Sequence, residues 1–450
     1  METPENSKSN SIFQSNTAKM IMVGFLALFL LIPLEYVKNL IAERAERQNE
    51  VITEINDKWG ENVFFYGPIL KIPYTYYEET VSINEKTKET IKQKKAYTNY
   101  AYFFPEELKA NADITTTELN RSNYESVVFT SNTKFIGNYI KPDFSSKNIN
   151  DEDIHWEKAT IIIKTTNLKS IKNEVKINFG NQNFTFEPVY NSDSKSNIEA
   201  LETGYVDLKS NPINDKTNFN FDINYNGSKQ IKMVPIGKIT LLSMKSNWPS
   251  PSFTGNFLPD DRTKVITSNG FTANWKILHI NRAFSQQFFS NLPDLSEYAF
   301  GVDFIIPVDQ YQQNERASKY GFLVIGLTFL IFFLIQSISK ISIHIFQYSM
   351  IGLALIMFYT LLISITEHSS FMKAYLISAT GVIVMIGLYS ISILKNKKFP
   401  VFIALSLSAL YSFIYVIIQL ENYALLVGSV GLFLILGCVM YFSRKIDWDK

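Results

Sequence analysis

Cysteine and histidine are nearly missing from this chain. Its 450 residues hold one Cys, Cys438, and four His. A single cysteine excludes an intrachain disulfide, and a Cys/His metal cluster is excluded with it. An excess of one charge is also missing: 43 basic residues face 42 acidic ones, for a net charge of +1. That balance gives no footprint for nucleic acid and no bias toward acidic substrates. Catalytic signatures are lacking too. There is no HExxH, no GxSxG and no dinucleotide fingerprint. The GKIT at Gly237 fails as a phosphate loop, because Lys232 stands where the first glycine is needed and Ile239 where Ser or Thr is needed. These absences predict no cofactor, no metal and no evident catalysis.

Charge is missing from long stretches as well. The mean hydropathy of zero hides a polar segment, 40–318, beside one almost free of charge, 320–443. A bilayer span needs about 20 apolar residues. Six uncharged runs fit or nearly fit: Met20–Leu34, Tyr320–Ser339, and stretches within Ile341–Thr366, Ala374–Leu394, Phe399–Leu420 and Asn422–Ser443. Any one could be a buried core helix, but five in succession with short polar breaks read as spans. The first has no small-x-small cleavage site before its charges and reads as an uncleaved anchor rather than a signal peptide.

With the N-terminus inside, the inner segments hold Lys8, Lys19, Lys340, Lys395, Lys397, Lys398, Arg444, Lys445 and Lys450, against Lys373 alone in the short outer loops. Lys and Arg concentrate on the cytoplasmic side. The expected layout is a cytoplasmic tail (1–19), a first span (20–38), a helical stalk (39–61), an extracytoplasmic domain (62–308), a juxtamembrane helix (309–319), a five-span bundle (320–443) and a second cytoplasmic tail (444–450). Residues 39–319 would then lie in the periplasm of a Gram-negative cell.

In the stalk, Val37, Leu40, Ile41, Val51, Ile52, Ile55 and Trp59 fall near helical spacing, Gly60 can cap the end, and the reading is a solvated helix. After it the period becomes two. FNFDINYNG alternates and then reaches Asn226-Gly227, a hairpin-type turn. ATIIIKTT, EVKINFG, GKITLLSMKSNW and YAFGVDFIIP also read as strands. The fold class expected is therefore an α-helical membrane domain of six spans with a large all-β, sandwich-like and antiparallel extracytoplasmic domain inserted after the first. Asp309 and Gln312 resemble a helix N-cap and its third-position partner, leading into the second span.

Three places could carry function. SNWPSPSFTGNFLPDD, Ser246–Asp261, holds three prolines and three large rings. Proline excludes a helix or central strand here. Trp248, Pro249, Phe253 and Phe257 could form an exposed binding loop, or the rings could plug an edge of the β domain, which is the preferred reading. Glu367-His368 sits at the outer membrane edge, where with Arg316 it could do acid-base work or cap a helix. Asp151-Glu152-Asp153 with His155 could bind a cation, but solvated surface charge is the simpler reading. Glu35, Arg316, Lys319, Glu367, Lys373 and Glu421 all fall at the outer boundary, with their pairings open. No Asp, Glu, Lys or Arg lies deep in a span, which counts against ion-coupled transport.

Several stretches are familiar together: RAERQNEV followed by WG, GPILKIPY, SNWPSPSFTGNFLP, DQYQQNERASKYGFLVIGLTF, FQYSMIGLALIMFYTLLISITEHSSF and the closing RKIDW. With these the chain resembles the CreD family of bacterial inner-membrane proteins. It departs from the family pattern at LNRSNYESV, where only Arg121 remains of a basic R-x-R-G-type turn, and at WGENVFF, where Gln is common after Trp-Gly. The resemblance implies a role in cell-envelope integrity, induction by a two-component envelope-stress system, and links to colicin tolerance and β-lactam response. The expected partners are membrane lipids and envelope proteins. The alternatives are a lipid-handling protein or membrane-edge enzyme using Glu367, His368 and Arg316, or a partner subunit of a transporter.

Overall fold

The computed structural model describes residues 16–83, 90–121, 124–189, 198–213, 215–306, 310–339, 341–394, 398–420 and 423–444. The Asp309 cap, Glu421 and several of the lysines that set the expected orientation lie outside them. The chain divides into two units, Met1–Glu50 with Val308–Lys450, and Val51–Pro307.

The first unit is helical. It holds α1 (Asn16–Phe29), the start of α2 (Leu31–Trp59), α3 (Gln310–Lys319), α4 (Gly321–Ser339), α5 (Ile345–Thr366), α6 (Phe371–Ile393), α7 (Lys398–Gln419) and α8 (Ala424–Ser443). Among the described residues six helices are long and apolar enough to cross a bilayer: α1 and α2 taken as one, and α4 to α8. The break at Leu30 has a local cause. Pro33 has no N–H to give the carbonyl of Phe29, and its ring crowds that turn. The neighbouring bonds persist, Leu30 N–H to Leu26 O at 3.0 Å and Leu34 N–H to Leu30 O at 3.3 Å, so the helix continues past the break. Leu30 and Leu34 are buried in one core with Val324, Phe329, Leu355 and Tyr359. α5 starts on a reciprocal cap: His344 Nδ1 accepts from Phe346 N–H at 3.2 Å, and Gln347 Oε1 accepts from His344 N–H at 2.9 Å.

The second unit is built from strands. In chain order they are β1 (Val63–Ile83), β2 (Thr90–Phe103), β3 (Glu107–Arg121), β4 (Tyr124–Tyr139), β5 (Thr160–Thr165), β6 (Lys176–Phe179), β7 (Gln182–Val189) and β8 (Glu199–Thr203). Then follow β9 (Thr217–Ser228), β10 (Gln230–Met233), β11 (Ile239–Ser246), β12 (Pro251–Gly255), β13 (Val265–Thr267), β14 (Gly270–Leu278), β15 (Gln287–Phe289) and β16 (Phe300–Phe304). Hydrogen bonding runs in the order β12-β16-β10-β1-β5-β8-β7-β6-β9-β4-β3-β11-β14-β13, with β2 and β15 branching from β1. The path folds on itself as a sandwich. Phe65 of β1 stacks on Phe135 of β4 at 4.3 Å between ring centroids, and Phe135 on Phe221 of β9 at 4.7 Å. Buried and exposed residues alternate from Leu108 to Thr117 in β3 and from Phe129 to Gly137 in β4, so one face of each strand points inward.

Two details differ from the sequence reading. The sheet is not wholly antiparallel, since β1 pairs parallel with β10 and β3 with β11. Asn226-Gly227 is not a hairpin turn. Both residues sit inside β9, opposite Thr130 and Phe129, and the chain changes direction at Lys229, which has φ +57°. Glycine is needed at 227 for close approach, because a Cβ there would lie 2.4 Å from the Phe129 ring.

The last turns of α2 belong to this unit and are not a solvated stalk. Val51 and Ile55 are buried with Val128. Asn56 Oδ1 accepts from Ser126 Oγ at 2.9 Å, and Trp59 Nε1 donates to Phe129 O at 3.3 Å. Val51, Ile55 and Trp59 of the apolar spacing noted in the sequence form the stripe that docks here, whereas Val37, Leu40 and Ile41 belong to the helical unit.

Candidate functional site

The proline-rich stretch is the crossover between the two sides of the sandwich. β11 ends at Ser246 beside β3 and β14, and the chain then enters β12, an edge strand paired with β16. Proline is tolerated at a sheet edge, where one side of the strand needs no donor. Trp248 is 7% exposed, and its Nε1 donates to Ser250 O at 3.1 Å. Phe253 is half-buried and meets Phe271 and Trp275 edge-on at 5.8 and 5.7 Å, while Phe257 meets Phe300 at 5.9 Å. Pro249 is exposed. Gly255 takes φ +95°, and a Cβ there would lie 2.2 Å from Ala299 O. Asn247 acts as one more strand residue: its Oδ1 accepts from Thr116 N–H at 2.7 Å and its Nδ2 donates to Thr116 O at 3.1 Å. The rings therefore close the edge of the sandwich.

A buried cation lies elsewhere in this unit. Arg282 is 6% exposed and donates to Ile236 O at 3.1 Å, to Phe284 O at 2.9 Å and to Gln286 Oε1. Burial pushes its pKa down to about 10. Its partners are carbonyls, so it clamps loops. The acidic run is tied up as well. Asp153 Oδ1 accepts from Tyr77 Oη at 3.0 Å, Asp151 Oδ1 from Trp156 Nε1 at 3.1 Å, and His155 Nε2 lies 2.9 Å from Thr75 Oγ1. Among the described residues no group of His, Cys, Asp and Glu has the arrangement of a metal site.

In the helical unit, Glu367 follows α5 and is paired. Its Oε1 lies 3.6 Å from Arg44 Nε of α2. His368 is exposed and Arg316 half-buried. Two other edge charges pair on their own helices, Glu35 with Lys38 at 3.2 Å and Lys319 with Glu315 at 2.8 Å.

A feature that hydropathy could not reveal lies beside Glu367. The polar helix α3, QYQQNERASK, packs against α4, α5, α6 and α7 rather than lying free at their edge. It buries Tyr311, Asn314, Ala317 and Ser318, with Asn314 fully enclosed. In the orientation that satisfies both groups, the Gln310 amide donates to Ser369 O at 3.1 Å and Thr366 O at 3.3 Å, tying α3 to the α5–α6 turn. Asn314 Nδ2 donates back to Gln310 O at 2.8 Å. Buried atoms without a partner follow: Gln313 Oε1, Asn314 Oδ1, Ser378 Oγ, Tyr359 Oη and Tyr411 Oη. Tyr375 Oη, by contrast, donates to Tyr411 O at 2.8 Å. The arrangement gives an uncharged polar layer within a membrane-type bundle, with Arg44 and Glu367 near one end.

Comparison with known proteins places these features in context. The family model described as inner membrane protein CreD matches residues 15–449. The chain is 28% identical over 440 residues to the inner membrane protein CreD of Escherichia coli (strain K12), covering 96% of this chain and 93% of that protein.

Proposed function

Because the chain belongs to the CreD family of inner membrane proteins, we propose that it acts in cell-envelope integrity and stress response, its β unit contacting envelope components or partner proteins. The observation that carries this reading is the match along nearly the whole chain, membrane helices and inserted β unit together. In this reading both termini are cytoplasmic and the β unit is periplasmic, as the bias of Lys and Arg supports. Membrane lipids and envelope proteins are the partners. Orientation is tested in a Cys438→Ser background. Ser210→Cys should react with an impermeant maleimide on intact spheroplasts, and Asn396→Cys only after lysis; the opposite pattern removes the β unit from the periplasm. Function is tested by complementation. A deletion strain sensitive to envelope stress should regain resistance with the full chain and not with one lacking 62–306, whereas equal rescue would end the role given to the β unit.

A second reading, a lipid-handling protein, draws support from the polar layer around α3. Here Glu367, His368 and Arg316 belong to the rim of a lipid site rather than to an acid-base centre, since Glu367 has Arg44 as its ion-pair partner.

A further inference from the structure

The ribbon of β1 and β2 outruns the sandwich. The two strands pair without a shift in register from Leu70 opposite Phe103 to Ile83 opposite Thr90. Neighbours flank only the base of the ribbon. On the β1 side, the pairing with β5 stops at Lys71, and the segment around Asp153 and Ile154 reaches Tyr74 and Tyr77. On the β2 side, β15 pairs with Ala101–Phe103 and the chain turns away at Ser290, which has φ +77°. Nine further pairs, Thr75 with Thr98 to Ile83 with Thr90, have no third strand beside them among the described residues. They run for about 30 Å. Tyr76 stacks across the ribbon on Tyr97 at 5.5 Å. Two strands alone are marginal in water.

The free edge of β2 has a definite pattern of backbone groups. In an antiparallel ladder the N–H and C=O of one residue share a side, and the side alternates along the strand. Phe104 N–H donates to Gln286 O at 3.0 Å and Ser290 N–H to Tyr100 O at 2.9 Å, so the even-numbered residues of β2 face β15. Where β15 leaves, Tyr100 N–H is answered by Asn99 Oδ1 at 2.9 Å. Past that point Thr98, Ala96, Lys94 and Lys92 present N–H and C=O to the open side.

The two edges also differ in charge. β1 carries Glu78 and Glu79, and Asp153 lies at its base, bonded to Tyr77. β2 reads TIKQKKAYT from Thr90 to Thr98, three lysines and no acid. Lys94 and Lys95 are exposed and belong to opposite faces of the strand. Their ammonium groups lie 4.6 and 5.0 Å from the ring centres of Tyr77 and Tyr97, and among the described residues neither forms an ion pair with Glu79 or Glu78 across the ribbon. Lysines on an edge strand repel a second copy of that edge. The same charges attract an acidic strand, so one feature excludes self and selects a partner.

We infer that the β2 edge receives an extended acidic peptide segment of a partner protein, which adds as a third strand in line with β15. Main-chain bonds to Thr98, Ala96, Lys94 and Lys92 hold it, and its carboxylates meet Lys94 and Lys95. An anionic polysaccharide would answer the lysines but has no backbone to continue the ladder. The inference rests on the reading that the β unit meets envelope partners, and it names the place and the chemistry.

The test uses the full chain in detergent and a fluorescent peptide of Thr-Thr-Glu-Glu repeats about ten residues long, which places Glu on both faces of a strand. Anisotropy reads binding, and circular dichroism shows whether each variant folds. The Glu peptide should bind at least about 10-fold more tightly than a Thr-Thr-Lys-Lys peptide, a difference of about 1.4 kcal/mol. Lys94→Glu/Lys95→Glu should reverse that preference. Ala96→Pro removes an N–H on the open side and none that faces β1, so it should weaken binding by about 10-fold. If that variant does not fold, a Glu peptide N-methylated at every residue makes the same cut from the partner's side. Binding of neither peptide, or equal binding of both, overturns the inference. So does an unchanged affinity in folded Ala96→Pro or for the N-methylated peptide, which would mean that charge alone acts, as it would on any polyanion. Because complementation is not the readout, failure here leaves the envelope role of the β unit standing.

Discussion

The two units differ in how completely they pair buried tyrosine. In the β unit three deeply buried tyrosine hydroxyls are answered: Tyr66 Oη donates to Pro293 O at 3.3 Å, Tyr139 Oη to Pro68 O at 2.8 Å, and Tyr225 Oη meets Thr165 Oγ1 at 2.9 Å. In the helical unit Tyr348 Oη donates to Gln336 Oε1 at 3.2 Å and Tyr375 Oη to Tyr411 O at 2.8 Å, but Tyr359 and Tyr411, as deeply buried, have hydroxyls without a partner. Orphans occur in the β unit too, at Asn138, Asn167, Asn224, Ser228 and Arg282, but they are spread along the sheets and loops. In the helical unit they lie at Gln313, Asn314, Thr328, Ser337, Tyr359, Ser378 and Tyr411, on α3 and the four helices packed against it.

The contrast can be broken from the β side first. Trp248→Ala removes a buried ring from the closed edge and should destabilise the β unit by about 3–5 kcal/mol. Denaturant unfolding followed by tryptophan fluorescence and circular dichroism would show it. A variant that melts like the parent but loses envelope protection would make the crossover a binding loop. Arg282→Ala should rank next, at about 2–4 kcal/mol, because the carbonyls of Ile236 and Phe284 lose a charged donor. A loss below 1 kcal/mol in the same unfolding experiment would show that water replaces the clamp. The helical side should be far softer. Glu367→Gln breaks a pair 3.6 Å long whose side chains are 46% and 21% exposed, and should shift thermal stability by no more than about 1 kcal/mol. A larger loss would make the Arg44 contact a structural lock.

Much of this contrast was legible in the sequence, for physical reasons. Span length and the period of two are direct consequences of bilayer thickness and strand pleat, so the six spans and the inserted β domain could be read from them. Proline chemistry restricted Ser246–Asp261, and three adjacent rings argued for burial, where Trp248 is found. Sheet order was not legible, because the parallel pairings of β1 with β10 and β3 with β11 join distant segments that carry no local signal. Asn226-Gly227 misled because glycine serves close packing as readily as turns. α3 was hidden most thoroughly. Its buried face is Tyr311, Asn314, Ala317 and Ser318, so hydropathy registers a solvated helix where the fold encloses one. Glu367 was singled out, but Arg44 lies more than 300 residues away in the chain, and nothing local announces the pair.

The most direct measurement compares two isosteric substitutions in the full chain, stripped of lipid. Tyr139→Phe deletes a paired hydroxyl and leaves the Pro68 carbonyl unanswered, so it should lower the stability of the β unit by about 1–3 kcal/mol. Tyr411→Phe deletes an orphan, so it should leave the lipid-free melting temperature unchanged or raise it. Equal destabilisation by both would mean that the Tyr411 hydroxyl is paired within the bundle, and the difference drawn between the two units would be wrong.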